Sequence, residues 1–555
     1  MWKMQNISFM GNVFDCDPGM FLDYNSVWSG DPYEAACDGC QTACDGCFFE
    51  EPPLVPVCTD VMDHAISAGG TVTKEMLTIE HGYWRATPSS INVLACYHAD
   101  ACVGGVTGTA GYCLGGYEGP YCAIYSEGYT AGLTFTCSKC SDSAGGIVLA
   151  AILAVVGLCV AVALVSYVMS GEVGGMGAGM VERLGRYVPL QSLKIVIVVW
   201  QILTQFTTVA NVTYPDVYER FLDGLDVFNF DLGWVLSVGC VFDVDFHDRL
   251  LISTGGPILI VLLLTGTYAT AARTNCGATE ALQYIWNKHM SMLLLLTFLV
   301  YSSVSSVIFK TFACEDLDDG QNYLTADYRI ECDSPKHKAF QVYAGFMFGL
   351  YVVGIPALYG FLLFRDREVL RQNGGDRQEH ARVTSISDLW KPYRPSVFYY
   401  EVIECGRRIL LAGLVVFVYP NTAAQIAIAM MLAFVFVMIS EVLAPHVSKW
   451  DTWISRIGHV VVFVSMFVAL LLKVDVSDER AGSQRVFEIV LVTVHACMIL
   501  AVVVETLLLA WSLRVEQREE PLARFGGGRL VPSKRSVTPD SFSDHLKEME
   551  VSHFD

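Results

Sequence analysis

Four charged side chains gather where the chain turns apolar. In KPYRPSVFYYEVIECGRRILLAGLVVFVYP, residues 391–420, Glu401, Glu404, Arg407 and Arg408 fall within two turns of a helix that enters a bilayer. Glu404 and Arg408 are four apart with the glutamate first, the order that favours an ion pair on one helix face. A charge in hydrocarbon costs roughly 2.5–3.5 kcal/mol on insertion scales, so such residues must be paired, drawn to the headgroups or put to use. Two readings stand. The arginines reach the headgroups and mark the cytoplasmic end of a spanning helix, or the cluster is a hinge or gate coupling the preceding segment to the helix.

Two further polar sets could act on ions. Gln201, Gln205 and Thr208 recur at helical spacing in LKIVIVVWQILTQFTTVAN, and polar groups in a spanning helix face protein or water because lipid offers no partner. They read as an interhelical hydrogen-bond seam or as part of a permeation path. Asp316, Asp318 and Asp319 precede Gly320 inside CEDLDDGQNYLTADYRIEC, bounded by Cys314 and Cys332. As an EF-hand the loop fails, with Gly at its fifth position and no closing Glu. It reads as a solvated acidic loop whose use is electrostatic, raising the cation concentration near a pore mouth.

Enzymatic motifs are absent: there is no P-loop, HExxH, GxSxG or well-placed dinucleotide fingerprint. Neither a cofactor nor a resident metal is expected. His459 and His495 read as hydrogen-bonded bundle residues in preference to a proton relay, and Glu441 and Glu505 as interfacial acids that would be ion contacts if turned inward.

The elements that position these residues are membrane helices. With 555 residues, 53% of them hydrophobic and 17% charged, the chain is too apolar for a soluble protein of its size. Nine apolar runs, near 147–168, 194–212, 250–271, 290–311, 339–364, 399–419, 422–443, 455–474 and 486–512, each approach the roughly 20 residues a spanning helix needs. The fifth run holds Gly345-x-x-x-Gly349, which permits close helix packing, and Gly354-Ile-Pro356, which implies a kink.

The net charge of −21 is concentrated before the first run. Residues 1–145 carry 17 Asp and Glu against 4 Lys and Arg, a net of −13, which argues against nucleic acid or anionic lipid as a partner of this region. The same block holds 12 of the 19 cysteines, a density that reads as a disulfide framework in an oxidising compartment. CxxC pairs make zinc the rival, but the gap between the first two pairs is much shorter than in ordinary zinc modules. Asn6 and Asn211 lie in glycosylation sequons. The first fifteen residues show no apolar signal core, so either the start is incomplete or the first run serves as the targeting signal. Cys113 and Cys122 flank a Gly-Tyr-x-Gly turn in a pattern like the second half of an EGF module, near 96–140.

Basic residues cluster after the first, third, fifth, seventh and ninth runs, among them Arg183, Arg273, Arg371, Lys449 and Arg518. The positive-inside rule makes those segments cytoplasmic, with the N-terminus outside and the C-terminus inside. After Arg514 the tail lacks apolar periodicity and reads as disordered.

GYWR (82–85), CLGGYEGPYC (113–122), CSKC, FACEDLDDGQNYLTADYRIEC, the Gly-Ile-Pro of the fifth run and KPYRPSVFYYEVIECGRRILLAG resemble multi-pass proteins of algae, oomycetes and other protists. Their membrane part is similar to the transient-receptor-potential-like family that includes the fungal flavin-carrier proteins, over about residues 80–512. That resemblance implies an integral membrane protein conducting cations, calcium among them, and leaves flavin transport open.

The expected architecture is an all-α polytopic bundle of about nine transmembrane helices (146–513), carrying a small disulfide-rich, loop/β-type extracellular domain (1–145) and a cytoplasmic tail (514–555). The function expected is a cation-permeable channel gated by the fifth and sixth runs. A carrier of lipid or flavin, and an adhesion or sensing receptor anchored by the bundle, are the alternatives. Partners are then membrane lipid and cations, with an extracellular ligand under the receptor reading, no nucleic acid, and room for an oligomer.

Overall fold

The structure is a computed structural model. It describes short strands between Ser8 and Ile66, most of 76–139 and 189–225, Asn229, 244–274, 279–372 except 319, 381–474 except 421, and 483–525. The described residues fall into two compact units, one drawn from Met1–Asp142 with Cys314–Lys338, the other from the bulk of the chain.

The first unit is built of short antiparallel pairs, as its glycine and cysteine content dictates. One strand pair, Tyr83–Trp84 with Leu94–Ala95, lies in GYWR and its neighbourhood. Gly82 there adopts φ +89°, a backbone only glycine takes without strain. Trp84 stacks on Tyr121 at 5.5 Å, and Arg85, fully buried, donates from Nε to Tyr112 Oη at 2.7 Å. Gly104 is required by space as well as by φ, since a Cβ would lie 2.5 Å from Ile79 O.

Disulfides join Cys96 to Cys102, Cys113 to Cys122 and Cys314 to Cys332. The last two are the candidate pairs of the sequence, while Cys96–Cys102 was not singled out. Cys314–Cys332 closes a three-stranded sheet of β1 (Cys314–Leu317), β2 (Gln321–Leu324) and β3 (Asp327–Glu331). Leu317 and Tyr328 of this sheet sit in one core with Leu77, Ile79, Trp84 and Tyr121. Residues 314–338, which the sequence reading left inside the membrane domain, thus belong to the cysteine-rich unit.

The second unit is helical: α1 (Leu190–Ala210), α2 (Asp216–Leu225), α3 (Phe246–Thr274), α4 (Thr279–Lys310), α5 (Pro335–Arg365), α6 (Tyr400–Ala412), α7 (Ala423–Leu443), α8 (Lys449–Lys473) and α9 (Ser483–Phe525). Seven are long and apolar enough to cross a membrane, α2 and α6 being the exceptions. They make the chain an integral membrane protein. Of the nine runs expected, 147–168 lies outside the described residues, as do Asn6, Asn211, Asp319 and the part of the expected tail from 526; residues 514–525, read from the sequence as disordered tail, instead continue α9 as helix.

The sixth run, 399–419, is not one long helix. It ends as an α-helix at Ala412 and continues as a 3-10 turn, Leu414–Phe417. The position where it stops requires glycine: a Cβ on Gly413 would lie 2.6 Å from the Phe309 ring, so α4 approaches the backbone there.

Interior and lipid-facing helices differ as apolar burial demands. Most of α1, α4 and α8 is buried, whereas α3, α7 and α9 turn Leu259, Leu262, Val435, Met438, Ile489 and Leu500 outward. α8 packs against α7, α1 and α9, and a Cβ on Gly458 would press to 2.8 Å from Val199, so glycine sets the close approach of α8 to α1. α6 packs against α1, α4, α5 and α7 and is the hub of the unit.

Candidate functional site: a buried charged cavity

α6 begins at a cavity lined by residues of α1 (Gln191, Lys194, Val198), α4 (Phe298), α6 (Tyr400, Glu401, Glu404, Arg407, Arg408) and α8 (Ser455, His459), together with Tyr393 and His446. A clip between two proline-flanked segments brings in the last two. Arg394 N donates to Pro445 O at 2.8 Å, Val447 N to Pro392 O at 3.0 Å, and Arg394 Nε to His446 O at 3.2 Å. The Tyr393 and His446 rings are thereby set 5.6 Å apart. Burial pushes the His446 imidazole down to about 4, so it is neutral at physiological pH.

The four charged residues of the sequence reading do meet here, and the headgroup reading fails for them. Glu401, Arg407 and Arg408 are buried at 7%, 5% and 1% exposure, inside the bundle rather than extended to a surface. The pairing also differs from expectation: Glu404 binds Arg407, three residues on, through Nε at 3.1 Å and Nη2 at 2.5 Å. Glu401 Oε2 accepts from Tyr393 Oη at 2.7 Å. Arg408 is drawn away by α4, where Nη1 donates to Phe298 O at 3.0 Å and the guanidinium lies 4.1 Å from the Phe298 ring. Lys194 approaches the same ring at 5.2 Å. Lys194, Tyr393 and His446 were missed in the sequence because nothing in their spacing links them to α6.

The polar seam is an interhelical hydrogen-bond network. Gln201 Nε2 donates to Leu299 O at 3.1 Å, Gln205 Nε2 to Asn229 Oδ1 at 3.2 Å, and Ser302 Oγ to Gln205 Oε1 at 3.2 Å. Thr204 Oγ1 also donates to Asn229 Oδ1, and Ser303 Oγ to Asn229 O. These bonds tie α1 to α4, which favours the interhelical seam over a permeation path. Thr208 lies in α1 but its side chain is outside the described residues. His495 makes an Nδ1–H bond to Leu491 O at 2.9 Å and Glu441 a two-pronged pair with Arg456 at 2.7 Å, as bundle and interfacial residues should, whereas Glu505, also expected at the interface, is buried at 5% exposure.

The expected hinge of α5 has a definite form. Phe348–Val353 is a π-helical turn, followed by Gly354 and Pro356. Proline withholds its N–H from the carbonyl four residues back. That carbonyl, Val352 O, instead accepts from Tyr301 Oη of α4 at 3.4 Å. Tyr351 Oη in turn donates to Thr254 O at 2.6 Å, one turn before Pro257 of α3. By contrast, Gly345 and Gly349 are exposed, and a Cβ on either would meet nothing within 4 Å, so their close-packing role is unused within the chain's described residues.

Asp316 and Asp318 of the acidic loop are both exposed, but Asp318 is engaged: its carboxylate accepts from Ser90 Oγ and from Asn92 Nδ2 at 3.0 and 3.1 Å. It fastens the 90–92 turn to the sheet rather than standing free.

No protein-family model matches this chain, and no curated protein or solved structure matches it either.

Proposed function

We propose that the chain is a cation-permeable, transient-receptor-potential-like channel whose opening is controlled by α5 and α6. The observation that carries this reading is the joint in α5. A π-helical turn ahead of Gly354 and Pro356 is held by Tyr301 of α4, and α4 also holds Arg408 of α6 through Phe298. π turns and prolines are where a helix bends without losing its bundle. The bend and the charge cluster therefore act on one helix. The resemblance of residues 80–512 to that family supports the same assignment, with calcium among the permeant cations.

In this reading the cysteine-rich unit and both sequons lie outside, EGF-like in part, and the basic segments after α3, α5, α7 and α9 lie in the cytoplasm. A second reading, a carrier for a lipid or flavin, draws on the seam between α1 and α4, which supplies polar contacts between the helices.

Purified full-length protein in planar bilayers, with calcium and potassium on opposite sides, tests both. Unitary cation currents are expected, and Pro356→Ala is expected to slow opening and closing severalfold with unchanged unitary conductance. Saturable flux with no unitary events selects the carrier. Absence of either form of transport defeats both and leaves a receptor anchored by the bundle.

A further inference from the structure

The cavity at the start of α6 presents polar atoms that its own walls do not satisfy. Arg408 Nε and Nη2 have no partner, although the residue is 1% exposed. These two N–H groups lie on one edge of the guanidinium, parallel donors spaced for two oxygens of a single oxyanion. His459 has a fixed tautomer, because its Nδ1 lies 2.8 Å from Ser455 O, which can only accept. Its Nε2 is therefore a lone-pair acceptor, buried and unpartnered, and His446 Nδ1 is unpartnered as well. An occupant must accept twice from Arg408 and donate to His459.

Charge selects the occupant further. With neutral imidazoles, Lys194, Arg407 and Arg408 against Glu401 and Glu404 leave the lining at 3 − 2 = +1. The first turns of α1 and α6 add the positive ends of two helix dipoles. A metal ion fits less well, since no three of the cavity's histidine and glutamate atoms come within 4.8 Å of one another.

We propose that this cavity binds a phosphate monoester. Its two P–O⁻ oxygens accept from Arg408 Nε and Nη2. A monoester's second pKa is about 6, so the singly protonated form makes up about half of it at pH 6 and roughly a tenth at pH 7; the cavity takes that form, whose P–OH donates to His459 Nε2, and binding strengthens as pH falls from 7 to 6. A carboxylate or sulfate ester meets the guanidinium equally well but brings no proton to the imidazole. Binding there ties α6 to α1 and α8, and so would regulate the helix to which gating is assigned above. The site itself stands whether or not ions cross the protein.

Binding is measured on the full-length protein, purified in non-phosphate detergent, by titration calorimetry with inorganic phosphate and then sulfate at equal ionic strength. Vesicles of phosphatidylcholine with and without phosphatidylinositol 4-phosphate form a second arm, read by co-flotation. Phosphate is expected to bind at least tenfold more tightly than sulfate. Arg408→Lys, which keeps the charge and loses the fork, and His459→Phe are each expected to weaken it at least tenfold. Should Arg408→Lys not fold, His459→Phe carries the test alone. Binding of free phosphate identifies a soluble ligand, and binding of the monoester vesicles alone identifies a lipid headgroup. Equal binding of phosphate and sulfate, unchanged binding in the folded variants, or no binding in either arm overturns the proposal. Because no current is read, this failure is distinct from failure of the channel reading.

Discussion

Both units set a carboxylate among aromatic rings, and they satisfy it in different ways. In the cysteine-rich unit Glu315 accepts from Tyr121 Oη at 2.8 Å and Tyr328 Oη at 2.7 Å, and Tyr97 extends the chain of hydroxyls to Tyr328 at 2.6 Å. Neutral donors complete that network, and its rings pack 5.2–6.0 Å apart. In the helical unit Glu404 is met by a full countercharge, Arg407, and beside that pair Arg408, His446 and His459 keep unused hydrogen-bonding atoms around a cavity. Buried polar atoms left unmade cost about 1–3 kcal/mol each, so a fold tolerates several at one place only where something else is gained. The tyrosine network is architecture; the cavity is where a ligand belongs.

Removing Arg407 should break that contrast most severely. Arg407→Ala strands Glu404 without its partner, and losing one side of a buried pair costs about 3–5 kcal/mol. Arg408→Met strands no carboxylate, because Arg408 makes no ion pair within the described residues. Its cost is expected to be less than half that of Arg407→Ala. Thermal unfolding of the two full-length variants checks this, and equal losses would show that Arg408 carries an ion pair of its own.

In the cysteine-rich unit, Glu315→Ala leaves the hydroxyls of Tyr121 and Tyr328 without their acceptor. The expected loss is about 2–3 kcal/mol, read as earlier proteolytic nicking of this unit in the intact protein. Asp318→Asn is milder, at about 1 kcal/mol, since the amide oxygen still accepts from Ser90 or Asn92. An altered cation selectivity in Asp318→Asn with unchanged stability would reverse the assignment and return Asp318 to a free electrostatic role.

Much of the helical fold was legible because lipid imposes length and apolarity on each span, and α1, α3, α4, α5, α7, α8 and α9 overlap the runs read from the sequence. Cys113–Cys122 and Cys314–Cys332 were legible from their isolation and turn residues. The site was half legible. Charge in an apolar stretch pointed to Glu401, Glu404, Arg407 and Arg408, but i,i+3 and i,i+4 spacings are equally good on a helix surface. Only the Phe298 ring and carbonyl, over a hundred residues away in sequence, decide that Arg408 turns aside. His446 enters through the clip of 392–394 on 445–447, which leaves no periodic trace. The attachment of 314–338 to the cysteine-rich unit was hidden for the same reason: Leu317 and Tyr328 read as loop residues until their core partners are in view.

The smallest effect sharpens the comparison from the side of the tyrosines. Burial, reinforced by the nearby Glu315 charge, pushes the Tyr97 hydroxyl up to about 12, and it pushes Tyr121 and Tyr328 upward too. The folded state therefore holds these protons to higher pH than the unfolded chain, whose tyrosines ionise near 10. Between those values the unfolded state binds fewer protons, so stability is present below about 10 and falls as pH rises. For Tyr97 alone the loss at pH 11 is about 1 kcal/mol. Tyr97→Phe should flatten the decline between pH 9 and 11 by that share and leave the remainder to Tyr121 and Tyr328. If the slope were unchanged in Tyr97→Phe, the hydroxyl chain would not extend to Tyr97, and the network around Glu315 would close on two tyrosines instead of three.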